Sequence, residues 1–204
     1  MIHMYNHTKK HSSYTDFLET YVPELPNEAC RPIFVVLCGL PGSGKSHISN
    51  LITKKLPIVK LESDFIRKIL FRTPTYKSSE SRQLFEFCHA LIDHLLSRSY
   101  AVLFDATNLV ESHRQNLYRI SDKNEAELII IKTTAPENVI FDRLTKREVC
   151  VNRNRLDNSD ATWTTYKKMI KSSEDIQREH LILDTSQDID IILNKVIKRI
   201  RDYI

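Results

Sequence analysis

Three features of the 204-residue chain predict an α/β fold built on a central parallel sheet. Short β-branched apolar runs alternate with longer stretches of helical periodicity, the pattern of β-α-β units. The run Ile33-Phe34-Val35-Val36-Leu37-Cys38 is apolar throughout, as a parallel strand covered on both faces should be. Directly after it, Gly39-Leu40-Pro41-Gly42-Ser43-Gly44-Lys45-Ser46 fits G-x-x-x-x-G-K-[ST], the loop that joins such a strand to a helix and turns its N–H groups onto phosphate oxygens.

The length suits one domain with a substantial core. All three glycines sit in this loop, so the chain uses glycine where phosphate must approach backbone and nowhere else. The four cysteines, Cys30, Cys38, Cys88 and Cys150, are far apart and form no paired metal motif. Reduced thiols and a cytoplasmic protein are the expectation. No apolar signal segment opens the chain and no run is long enough for a membrane span. A net charge of +4 is compatible with an anionic substrate and does not by itself indicate nucleic-acid binding.

Residues 1–30 precede the first strand. Met1 to Ser13 is polar, with His3, His7 and His11, and reads as a disordered arm rather than a metal site. Tyr14 to Val22 has the spacing of a short amphipathic helix, stopped by Pro23 and Pro26. A helix is expected from Lys45 to about Lys55. Ile58 to Glu62 reads as the second strand and Phe65 to Leu70 as a short helix. Asp64 falls where parallel strands meet a ligand, either as an acceptor-binding base or as a helix cap. Arg67, three residues on, shares its face.

Ser78 to Ser97 carries a helical apolar stripe through Leu84, Cys88, Leu91 and Leu95. Ala101 to Asp105 is a strand with an acidic end, and Asp105 is placed to face Ser46 across a magnesium site. Thr107 and Asn108 continue this edge as acceptor or phosphate contacts, or as a turn and cap. Arg114, on the next helix, is read as site or surface. Leu128 to Ile131 is a further strand, and Lys132-Thr133-Thr134 returns it to the ligand edge. From Arg143 to Arg155, five basic residues oppose only Glu148, and Arg143 and Arg147 project from one helical face. Such a segment suits charge neutralisation over a triphosphate, with a solvated basic face as the alternative. A helix carrying Trp163, a strand from His180 to Leu183 and a last helix from Ile189 to Ile200 complete the pattern. Asp184-Thr185-Ser186 lies near the nucleotide edge, with no chemistry that requires it there.

Taken in order, Gly39 to Ser46, Ser63-Asp64 with Arg67, Asp105-Ala106-Thr107-Asn108, Arg143 with Arg147, and Ser159-Asp160-Ala161 resemble a P-loop kinase family. Its nearest members are polynucleotide 5′-hydroxyl kinases, zeta-toxin-like kinases and small-metabolite kinases. The resemblance covers most of residues 31–200. It implies a three-layer sandwich with sheet order 2-3-1-4-5 and an arginine-bearing lid at 143–160, within a kinase domain over 31–204. It implies ATP and Mg²⁺ as well, and transfer of the terminal phosphate to an acceptor hydroxyl.

Residues 39–46, with His47, would bind the nucleotide, although His47 departs from the Thr common at that place. Lys45 would hold phosphate, and Ser46 and Asp105 the metal. Asp64 would activate the acceptor and Arg67 contact it. Asp105, Thr107, Asn108 and Arg114 would complete the acceptor network, while Arg143 and Arg147 act as lid arginines. A nucleic-acid 5′ end, a small hydroxyl metabolite or a nucleotide sugar would each serve as acceptor. The fold also allows a homo-oligomer, and an ATP-binding switch without transfer is the non-enzyme alternative.

Overall fold

The middle of the sheet is β1 (Ile33–Cys38), whose six residues are all buried. It pairs in parallel with β3 (Ala101–Asp105) on one side and β4 (Glu127–Thr134) on the other. β2 (Val59–Glu62) extends the sheet beyond β3, and β5 (Leu181–Asp184) extends it beyond β4. The order is therefore β2-β3-β1-β4-β5, with every pair parallel. The chain crosses from one side of β1 to the other between β3 and β4, and such a switch point opens a crevice at the strands' carboxyl ends. These coordinates are a computed structural model and describe residues 14–150 and 159–204. The histidines of the polar arm, Arg153, Arg155 and the middle of the expected lid lie outside the described residues.

Side chains alternate across the strands and both faces are covered, which is why the runs are apolar without interruption. Phe34, Val36, Val102, Phe104 and Ile130 pack with α3 (Ser63–Leu70), α4 (Ser78–Ser97) and α5 (Glu111–Lys123). Ile33, Val35, Leu37, Leu103 and Ile131 pack with α2 (Lys45–Thr53) and α8 (Asp190–Arg201). Leu84, Cys88, Leu91, Ile92 and Leu95 of α4 are wholly inaccessible. Each buried aliphatic side chain of this kind is worth about 1.5–3 kcal/mol.

α1 (Tyr14–Tyr21) buries Phe17 and Leu18 on the α4 face, where Phe17 meets Phe87 edge-on. α6 (Glu137–Cys150) and α7 (Trp163–Ile170) form a small third cluster through Ile140, Leu144 and Tyr166, joined by Leu40 of the glycine loop. Burial pushes the Cys38 and Cys88 thiols up to about 12, so neither is a nucleophile near neutral pH. No helix among the described residues is long and apolar enough to cross a membrane.

Candidate active site

The glycine loop leaves β1 at its carboxyl end and enters α2 at Lys45. Gly39, Gly42 and Gly44 all have positive φ. At Gly44 (φ +94°) a β-carbon would stand 2.8 Å from the Thr185 side chain, so both conformation and space require glycine. Gly44→Ala is expected to cost about 1–3 kcal/mol of loop geometry and to weaken nucleotide binding roughly tenfold or more. Calorimetric titration with an ATP analogue measures this, and unchanged affinity would contradict the assignment.

Three side chains tether the loop. The Ser43 and Thr133 hydroxyls are 2.7 Å apart, linking the loop to the end of β4. The Thr185 hydroxyl donates to the Ser43 carbonyl at 2.9 Å. Arg143 donates to the Gly42 carbonyl at 3.1 Å and to the Thr185 carbonyl at 2.8 Å. Arg143 therefore braces the loop from α6. Thr133 and Thr185 carried no motif signal. The one cue was position, since Thr133 lies near the end of β4 and Thr185 directly follows β5, both at the ligand edge.

Lys45 is half-buried and donates to the Leu40 carbonyl at 3.0 Å. Burial lowers its ammonium pKa against the raising pull of Asp105 and then Asp64, while Arg147 adds a further lowering charge. Lys45, Asp64, Asp105 and Arg147 thus share one electrostatic neighbourhood at the carboxyl edge of β1, β2 and β3. The Asp105 side chain is buried, and burial raises its carboxyl pKa, partly offset by Lys45 and Lys60 and by a hydrogen bond from the Ser46 hydroxyl. Its Oδ2 is buried with no hydrogen-bond partner. An orphaned carboxylate oxygen beside the loop serine is the donor set a magnesium ion bound mainly through phosphates and waters needs. Among the described residues no group of three or more His, Cys, Asp and Glu side chains could hold a metal, so any such ion would depend on the nucleotide for most of its ligands.

Asp64 is the second residue of α3, whose N-cap is Glu62, so it is not the cap that the sequence allowed. Burial raises its carboxyl pKa, against a hydrogen bond from the Ser159 hydroxyl and the nearby Lys45 charge. The Arg67 side chain is buried and largely occupied. It ion-pairs with Glu80, donates to Ser81 at 3.4 Å, and lies 4.8 Å over the Tyr76 ring. Only its Nε is buried without a partner. Glu80, which sequence reasoning missed, receives bonds from the Thr75 N–H, the Thr75 hydroxyl and the Tyr76 N–H besides Arg67. Burial pushes its carboxyl up, but those bonds outweigh it and hold the pKa down at about 2.

Arg114, expected at the acceptor site or on the surface, is not a surface residue. It is 1% exposed and its guanidinium is spent on Glu111, the Asn108 carbonyl and the carbonyls of Glu174 and Asp175. Asn108, also buried, donates its amide to the Leu37 carbonyl at 2.8 Å, and the Thr107 carbonyl accepts from the Gly39 N–H at 2.9 Å. The Asp105–Asn108 stretch therefore supports the start of the loop from beneath. His47 is exposed on the first turn of α2. A cavity of about 110 Å³ is lined by Gly39, Leu40, Thr133, Ile140 and Tyr166 but by neither Lys45 nor Asp64, so it contains none of the charged cluster.

Known proteins share this architecture. The L-seryl-tRNA(Sec) kinase of Methanococcus maripaludis is 25% identical over 174 residues, which is 81% of this chain, and the chain spans 65% of that relative's length. The fold matches the Mycobacterium tuberculosis APS kinase solved with AMPPNP and APS (TM-score 0.61, 19% identity, 84% of this chain and 98% of that one). It also matches a gluconokinase from Sinorhizobium meliloti 1021 (TM-score 0.56, 19% identity, 82% and 90%). The model of a family described as an AAA domain matches residues 34–176, and with its glycine loop, parallel sheet and kinase relatives the chain belongs to that family of P-loop kinases.

Proposed function

We propose that this protein is an ATP-dependent phosphotransferase that moves the terminal phosphate to an acceptor hydroxyl activated by Asp64. The observation that carries the reading is the clustering of Asp64 and Asp105 around Lys45 beside the glycine loop. Nucleotide binding needs the loop and the lysine. It does not need a second carboxylate in the first turn of α3, and transfer to a hydroxyl does.

In this reading the 39–46 backbone and Lys45 hold the triphosphate. Ser46 and Asp105 would hold Mg²⁺, which would neutralise charge on the phosphates. Asp64 accepts the proton of the attacking hydroxyl and aligns it, and Arg67 contributes its positive charge beside Asp64. Arg147 stabilises charge on the transferring group, while Arg143 keeps the loop in shape. Residues 31–204 act as one kinase domain with α1 packed onto it.

The two arginines separate experimentally. Arg143→Ala is expected to raise the ATP KM roughly tenfold with a smaller change in kcat. Arg147→Ala is expected to lower kcat roughly a hundredfold. A normal kcat in Arg147→Ala would remove it from the mechanism. The pH dependence has a definite sign. Burial raises the Asp64 pKa, so the base is lost as pH falls through a value above the ordinary carboxylate of about 3.9. The acid limb of kcat/KM should therefore lie above that value.

The acceptor hydroxyl is read as one carried on RNA, in keeping with the tRNA-directed kinase relative. γ-Labelled ATP with Mg²⁺ is offered to 5′-hydroxyl oligonucleotides, seryl-tRNA and a panel of sugars and nucleotide sugars. Label on RNA supports this reading. Label on a small metabolite keeps the chemistry and changes the acceptor. Nucleotide binding with no transfer to any acceptor would leave an ATP-binding switch.

A further inference from the structure

The Asp64 carboxylate already has a hydroxyl on it, and that hydroxyl belongs to the chain. Ser159 donates to Asp64, at the place where the acceptor hydroxyl is read to sit, and Asp64 in turn is coupled to Lys45. The next residue fixes the segment there. Asp160 accepts from the Tyr76 hydroxyl at 2.9 Å and pairs with Lys68 at 3.7 Å. Tyr76 is held for this contact in a left-handed conformation (φ +57°), uncommon for a bulky residue, with its N–H on Glu80 and its ring on Arg67. The same Glu80–Arg67 unit that orders the acceptor helix thus seats the 159–160 segment against it.

We propose that Ser159 is an internal acceptor and that the protein phosphorylates it in cis. The inference rests on the phosphotransfer reading above. In the step, the Ser159 Oγ–Pγ bond forms as the bond from Pγ to the bridging oxygen of the β-phosphate breaks. The hydroxyl proton passes to Asp64, and ADP leaves with the electron pair of the broken bond. Once Asp64 has released that proton to water, the product carries about −1.5 to −2 charge between the carboxylates of Asp64 and Asp160, which repel it. The contacts through Asp160 are exposed and individually weak. The phosphorylated segment therefore leaves α3, each chain takes one phosphate there, and the acceptor edge opens to an external hydroxyl.

The test is incubation of the purified full chain with γ-labelled ATP and Mg²⁺ and no other acceptor, followed by phosphopeptide mapping. Label on Ser159 is expected, at a rate independent of protein concentration. Ser159→Ala should lose the label while binding an ATP analogue as wild type does, Ser159→Thr should keep it, and Asp64→Asn should slow it roughly a hundredfold. ATP turnover or phosphorylation of an added acceptor without label on Ser159 overturns this inference alone and leaves a hydrogen bond that positions Asp64. Label that persists in Ser159→Ala, or a rate that grows with protein concentration, overturns it as well. Absence of label here, together with no transfer to any acceptor of the panel described above, would overturn the phosphotransfer reading and this inference together.

Discussion

Arg114→Met is expected to lower the free energy of unfolding by about 3–5 kcal/mol, the largest stability loss of any single substitution considered for this protein. The methionine fills the same space but leaves the Glu111 carboxylate with only the Tyr118 hydroxyl at 3.4 Å, and takes a donor from each of the carbonyls of Asn108, Glu174 and Asp175. Against a total of about 5–15 kcal/mol for a domain, that is enough to bring the protein near its unfolding threshold. The damage should not be confined to stability. Arg114 holds Asn108, Asn108 caps the end of β1 at Leu37, and the glycine loop starts there. Arg114→Lys, with one donor centre instead of a planar fork, is expected to fall between. Urea melts of the three proteins with and without an ATP analogue check this. A wild-type midpoint in Arg114→Met would show that the fork's bonds are replaceable by water.

Asp64→Asn should have the largest effect on turnover, a fall of roughly a hundred- to ten-thousandfold with ATP affinity within a few-fold of wild type. The amide keeps the size of the side chain and can still accept from Ser159, but it cannot take the acceptor's proton. It also removes a negative charge from beside Lys45, so a modest gain in ATP affinity is consistent with the role. Single-turnover transfer and equilibrium binding separate the two quantities. Loss of folding and binding in parallel with turnover would reduce Asp64 to a structural residue of the α3 first turn.

The sheet was legible because its strands are buried on both faces, and each announces itself as an unbroken apolar run. The boundaries of β1, α4 and β3 follow directly from composition. The sheet order came instead from resemblance, since periodicity is blind to which strand lies beside which. Within the site, the glycine loop, Lys45, Asp64 and Asp105 could be located because strand ends and motif spacing place them. What could not be read was the bracing. Arg114 looks like any basic residue on an amphipathic helix, and its partners are carbonyls far away in the chain that carry no side-chain signature. Arg143 stood out by charge and spacing, but the approach of α6 to Thr185 that lets it brace the loop did not. Glu80 met Arg67 for a similar reason, because the contact depends on how the turn at Thr75 and Tyr76 folds back.

The central place of β1 also governs the order in which the molecule can assemble. β1 emerges before every other strand, yet Ile33 pairs with Ala101 and Glu127, and no neighbour nearer in the chain is available to it. Closing such long loops must precede any gain from pairing, so sheet formation should be slow compared with that of the local helices. The glycine loop inherits this delay, because Thr133 and Thr185 exist as tethers only once β4 and β5 are seated. A nascent chain that has not yet released its last strand would hold the complete phosphate-binding motif and still be unable to grip a nucleotide.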